Sequence, residues 1–379
     1  MREIAATWMR GGTSKCWVFR REDLQVADQS VDEVLLRLYG SPDHRQVDGV
    51  GGGTSTTSKA VILAPSSAEG VDVEYTFAQV GIEDAKVDWG SNCGNCSAVV
   101  AAFAIREGWV RAGEVETGVR VLNTNTDQLI VQHVPTPGRV LAEDGSTHIP
   151  GVPFGGAPVR MGFVDPAGRS TGSLFPSGAR RDVLAAAGGV TVTLVDAGAP
   201  VVAVDVAGLG PSAAGVVGDE SPERLDAVPG LLARLDAVRR EAGVRMGLAE
   251  SPEEVARAVP KLALVSPPSR DADEPTDLTV RMLSMGRFHP AVPVTGSVAL
   301  TLAAGTPGTV VADLVAAHAA ATGADPGKGL RLGTPAGCVE TFVETHADLP
   351  VVGVTRTYRR LAQGSVVLPD PPLMPSVSA

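Results

Sequence analysis

A chain of 379 residues exceeds one ordinary domain and falls short of three, so two are expected. With 44% apolar and 20% charged residues it is not a disordered chain, and a net charge of −11 with 4% aromatic residues lacks the cationic surface and stacking platforms of a nucleic-acid binder. No apolar run reaches 18 residues, residues 1–15 carry no cleavable apolar leader, and four Cys are too few for a disulfide scaffold, so a cytoplasmic chain with reduced thiols and no membrane partner is expected.

Residues 31–39 have helical periodicity. The Gly/Ser/Thr loop 51–58 leads through Lys59 into an apolar run that reads as a buried strand. Residues 71–79 alternate and are rich in strand formers, as are 119–122, 129–133, 191–196 and 201–206. Residues 97–107 are apolar on all sides, which predicts a buried helix. Further helices are predicted over 222–242 (amphipathic), 252–259 (short), 297–304 (again apolar all round) and 310–321, with an extended tail from 368 onward. The two all-apolar helices start about 200 residues apart, each after a Gly-containing loop. Strands wrapped on one buried helix, twice over, predict two similar domains, with the boundary between 155 and 190 in a Gly/Pro-rich stretch.

Of 32 basic residues only five are Lys, the cation that can lose its proton in a suitable site. Two of them, Lys15 and Lys59, follow near-identical Thr-Ser and Thr-Thr-Ser contexts. Either both point into a site or both merely close Ser/Thr-rich loops. Cys93 stands beside Gly94 and before a predicted helix, where the positive end of the helix would favour thiolate and free N–H groups would hold a carboxylate. An inert buried Cys is the plain alternative. Cys93 and Cys96 also form a C-x-x-C, but the strand–helix–strand alternation of a thioredoxin-like site is missing. No ligand spacing supports zinc, so no metal is expected. The loop ending in Lys59 lacks the Gly-Lys-Ser/Thr of a P-loop, and no G-x-S-x-G marks a serine hydrolase. His289, eight residues before Ser297, is either structural or part of the site.

Several segments together resemble the PrpF family of methylaconitate, aconitate and methylitaconate isomerases and oxalomesaconate tautomerase, which is similar in fold to diaminopimelate epimerase and proline racemase. They are MRGGTSK at 9–15, GVGGGTSTTSK at 49–59, NCGNCS at 92–97, NTNT at 123–126, DPAG at 165–168, TGSLFPSG at 171–178, MGLA at 246–249, Pro260-Lys261, SMGRFH at 284–289, Thr295-Gly296 and RTYRRL at 356–361. The resemblance implies an α+β fold of two diaminopimelate-epimerase-like domains, each a β-barrel-like sheet around a buried helix. The first would cover 1–175 with returning strands from 351–379, and the second 176–350. It implies a cofactor-independent 1,3-allylic proton shift in a small unsaturated di- or tricarboxylate, with Lys59 and Cys93 as the acid/base pair. Thr13, Ser14, Lys15, Asn95, His289, Thr295, Gly296 and Ser297 are the expected substrate contacts, with Lys15 as a cation able to depress Lys59. A racemase would need a second thiol where Pro293 stands, and that alternative stays open beside a non-catalytic accessory role. Cys16, Val99, Ala101, Ala102 and Ala199 depart from the family pattern. A homodimer is compatible with the sequence.

Overall fold

The computed structural model describes residues 1–90, 92–210, 221–269, 274–323 and 329–369. The tail read as extended lies outside them beyond 369. The first strands are β1 (Arg2–Gly11), β2 (Ser14–Arg20), β3 (Lys59–Pro65), β4 (Val73–Val80), the short β5 (Val87–Asp88), β6 (Glu116–Asn123), β7 (Gln128–Pro135) and β8 (Ala157–Val164). The second series is β9 (Asp182–Leu184), β10 (Val190–Ala197), β11 (Ala199–Asp205), β12 (Lys261–Ser266), β13 (Leu278–Ser284), β14 (Arg287–Phe288), β15 (Arg331–Thr334) and β16 (Gly337–His346). The last strand, β17 (Leu349–Leu368), is 20 residues long.

The early strands close on themselves. β1 pairs with β2, β2 with β3, β3 with β4, β4 with β6, β6 with β7, β7 with β8, β8 with the first half of β17, and the second half of β17 with β1. A closed sheet leaves no unpaired edge. The result is an α+β fold with a closed β-barrel. The second series runs β9-β10-β11-β12-β13-β15-β16 and joins β17 through β16, with no pairing among the described residues that closes it. The segment after β8 hydrogen-bonds to β10: Gly168 N–H donates to Asp196 O and Asp196 N–H to Leu174 O.

Helix α1 (Val31–Tyr39) starts on a Ser30/Glu33 capping box and ends on Gly40 at φ 70°, the start and stop signals its sequence carries. The predicted helix over 97–107 is two helices, α2 (Gly94–Ser97) and α3 (Val100–Arg106). The cause is Gln132, fully buried on β7. Its Oε1 accepts from Ala101 N–H at 3.0 Å and its Nε2 donates to Ser97 O at 2.8 Å, so one side chain replaces the backbone bond that would have joined the two turns. Val100–Ala104 pack against Val119, Val121, Ile130, Val134, Met161 and Phe163.

The predicted helix over 222–242 is likewise broken, into α4 (Pro222–Asp226) and α5 (Leu231–Arg245), by Pro229 and by Gly230 at φ 74°. The short helix predicted over 252–259 shrinks to a single turn at Pro252–Glu254. Helix α6 (Val294–Ala304) begins three residues before its predicted start and packs on β10, β11, β16 and β17. Helix α7 (Val310–Thr322) covers it. No helix of the described residues is long and apolar enough to cross a membrane.

Candidate active site

The short first turns of α2 and α6 meet where the two strand series face each other. A Cβ on Gly94 would lie 2.5 Å from Val294 Cβ, so only glycine permits this approach. The turn between β1 and β2 closes the same region. Gly12 has φ 51°, and a side chain there would strike the Asn95 amide at 2.1 Å. A cavity of about 110 Å³ results, lined by Ser14, Ser55, Thr56, Lys59, Gln79, Asp88, Asn92, Cys93, Asn95, Lys261, His289, Pro293 and Thr295 among others. That is well below the roughly 300–1,000 Å³ of sites for drug-sized ligands. A larger cavity of about 590 Å³, lined by residues near His148, Arg281 and Cys338, shares no residue with it.

Lys59 is the first residue of β3 and is 8% exposed. Its Nζ donates to Gln79 Oε1 at 2.5 Å and sits 4.9 Å from the centroid of the Phe77 ring. The cross-strand register, Lys59 opposite Gln79, creates that contact. Cys93 precedes α2. Its Sγ accepts from Cys96 N–H at 3.4 Å, and its carbonyl accepts from Tyr75 OH at 3.2 Å. Behind it a chain of thiols runs from Cys93 through Cys96 to Cys16, the last two fully buried. The thiolate expected at Cys93 is not what this setting favours. The hydrogen bond with Cys96 and burial push its thiol well up, against a weaker opposing pull from Lys59. These surroundings favour the neutral thiol at Cys93.

Of the expected contacts, Ser14, Asn95, His289 and Thr295 line the cavity with Lys59 and Cys93. Thr13 stands one layer back, its hydroxyl accepting from Asn95 Nδ2 at 3.1 Å. Three others lie elsewhere. Lys15 is on the outward face of β2, exposed, with its Nζ 5.5 Å from the Trp8 ring centroid. Strand alternation sends Ser14 and Cys16 inward and Lys15 outward. Gly296 backs onto Met282, and the Ser297 hydroxyl is consumed by Val294 O at 2.7 Å. The neighbouring cation is instead Lys261, on β12 and 7% exposed. Burial and, more weakly, Lys59 lower it to about 8, while Cys93 and Asp88 oppose the shift.

His289 is held near 4, first by burial and then by the charges of Lys59, Arg356 and Lys261. Its Nδ1 accepts from Ala291 N–H at 3.0 Å, so the neutral ring carries its proton on Nε2. Asn92 lines the cavity with both amide atoms lacking a partner among the described residues, as does Asn95 Oδ1. Local sequence signalled Asn92 through its place beside Cys93, and Lys261 only through the Pro-Lys pair within the resemblance. Among the described residues no group of three His, Cys, Asp or Glu gathers as a metal site would require.

The model for the PrpF protein family matches residues 1–369. The chain is 37% identical to the 2-methyl-aconitate isomerase of Shewanella oneidensis, covering 97% of this chain and 98% of that one. It is 39% identical to the 4-oxalomesaconate tautomerase of Pseudomonas putida, covering 96% of each. The crystal structure of a methylitaconate-delta-isomerase superposes with a TM-score of 0.79 at 34% identity, over 96% of this chain and 95% of that one. A hydroxyproline epimerase from Agrobacterium vitis shares the fold alone, with a TM-score of 0.52 at 13% identity, over 98% of this chain and 93% of that one. A family match spanning all but the last ten residues, with relatives matched nearly end to end, shows that this chain belongs to the PrpF family.

Proposed function

We propose that Lys59 and Cys93 carry out a 1,3-allylic proton shift in the cavity they share. The activity is that of a cofactor-independent isomerase or tautomerase of small unsaturated di- or tricarboxylates, of the methylaconitate or oxalomesaconate kind. The supporting observation is that an amine and a thiol from separate loops line one small cavity that also holds Lys261 and neutral His289.

In this reading Lys59, as the amine, removes a proton from the carbon next to a carboxylate. The electron pair spreads into the conjugated acid as a dienolate. The Cys93 thiol then gives its proton two carbons away. The ammonium and thiolate left behind are neutralised by proton transfer from Lys59 to Cys93, which resets the pair. Nothing is oxidised or reduced. The growing charge on the carboxylate is met by fixed donors, the Asn92 amide N–H₂ and His289 Nε2–H, each such donor typically worth about 3–4 kcal/mol in the transition state. A single-carbon racemase would need a second acid/base group where Pro293 lines the cavity, and proline has none.

The closed ring and the open strand series are read as two domains, each holding one buried helix. The hydrogen bonds from 166–175 to β10 favour a boundary near Asp165, ahead of the one expected at 175. A cytoplasmic location and a homodimer complete the proposal.

The test is an incubation of the purified protein with unsaturated di- and tricarboxylates in deuterated buffer, followed by NMR. Wild type should exchange substrate protons and move the double bond, and Lys59→Met should lose on the order of 10²–10⁴ in rate. Exchange at the wild-type rate by Lys59→Met would falsify the assignment.

A further inference from the structure

We propose that Lys261 is the carboxylate anchor of this site, a cation contributed by the open strand series that binds one substrate carboxylate. The inference rests on the reading of the cavity as a polycarboxylate site and names the group that recognises the anion.

Lys261 opens β12, immediately after Pro260, and lines the cavity from the second strand series, whereas Lys59 comes from β3 of the first. It is 7% exposed and has no hydrogen-bond or ion-pair partner among the described residues. A buried ammonium without an acceptor is costly unless a ligand supplies one. The charged or titratable groups around it are Lys59 from β3, Cys93 from the loop before α2, Asp88 from β5 and His289 from the loop after β14. Only Asp88 is acidic, and it makes no ion pair with either lysine; its Oδ1 accepts from Gly90 N–H at 2.8 Å. In the same cavity Asn92 presents an unpartnered buried amide whose N–H₂ is a donor for a carboxylate oxygen.

The division of labour between the two lysines follows from their partners. Lys59 is held by Gln79 and the Phe77 ring in a fixed position for proton transfer. Lys261 has only solvent or ligand to bind. An incoming dianion or trianion stabilises its ammonium form, so binding above pH 8 draws a proton from solution.

Calorimetry with propane-1,2,3-tricarboxylate, a saturated triacid that cannot isomerise, tests this without turnover. Succinate serves as the diacid probe in parallel. Wild type is expected to bind at pH 7 and to lose up to about tenfold in affinity per pH unit above 8, with proton uptake seen as a buffer-dependent heat. Lys261→Met should bind at least about tenfold more weakly at pH 7 and lose both the pH slope and the proton uptake. Its melting temperature should rise, because a buried charge is removed. In the exchange assay it should raise KM more than it lowers kcat. Wild-type affinity and pH slope in Lys261→Met overturn the proposal. So does failure of wild type to bind either probe, and so does loss of exchange with affinity unchanged, which would make Lys261 a proton-transfer group. Because binding is read without catalysis, an error in the Lys59 and Cys93 assignment leaves this result intact and shows only in the exchange assay.

Discussion

Cys93 and Cys96 are one helical turn apart, yet their sulfurs do different things. Cys93 lines the cavity, whereas Cys96 is fully buried against Cys16 in the core. Cys93→Ser should therefore cut turnover by on the order of 10²–10⁴, because a hydroxyl is a far weaker acid than a thiol. Cys96→Ser should leave turnover within a few-fold and lower stability by about 1–3 kcal/mol, through burial of a poorly satisfied hydroxyl. Equal damage from the two, measured as kcat and by denaturant melts, would instead mark a dithiol redox pair. Lys261 makes a second prediction at this scale. Its folded value is about 8, against an ordinary value of 10.5. Between those pH values the unfolded state binds more protons, so this group makes stability rise with pH through the window. The gain is about 3 kcal/mol in wild type relative to Lys261→Met, read from urea midpoints at pH 7 and 10.

At the scale of elements, the break between α2 and α3 is imposed from outside the helix. Gln132 satisfies both backbone groups that the break exposes, and its own amide is satisfied in return. Gln132→Ala leaves a buried N–H and a buried C=O without partners, which should cost about 2–5 kcal/mol and lower the melting temperature. Cys93 is held at the end of this unit, so kcat should fall with it. Gly94 is the corresponding point of contact between the two strand series. Gly94→Ala sets a methyl 2.5 Å from Val294 Cβ and must push α2 and α6 apart. An overpacking cost of about 1–3 kcal/mol and a loss of turnover larger than that of any conservative core change are expected, checked by melting and kinetics.

For the whole molecule, ring closure and charge distribution matter most. β17 contributes one half of its length to β8 and the other to β1, so the C-terminal part of the chain completes a barrel begun at residue 2. Net charge is −11, while the cavity holds Lys261, with Arg356 close to His289. A local positive field inside a repelling envelope acts mainly on encounter. Since screening reaches about 8 Å at physiological salt, raising ionic strength should change kcat/KM several-fold and leave kcat nearly unchanged. A salt-independent kcat/KM would show that the local field does not guide the anion.

Several strands, the position of helix α1, and the loops bearing Lys59 and Cys93 were legible from sequence, because each depends on neighbours within a few residues. So was the family, through short segments spread along the chain. What only the tertiary structure decided depends on long-range contacts. Lys15 and Lys59 share nearly the same local sequence, but one sits at an outward position of β2 and the other at the inward start of β3. Lys261 reaches the cavity only because the second strand series folds back over the first. The thiol of Cys93 is pushed up by Cys96 and by burial, which outweigh the lysine that opposes them. Periodicity tells which face of an element is inside; it cannot tell which interior that face will share, since that depends on how distant strands close.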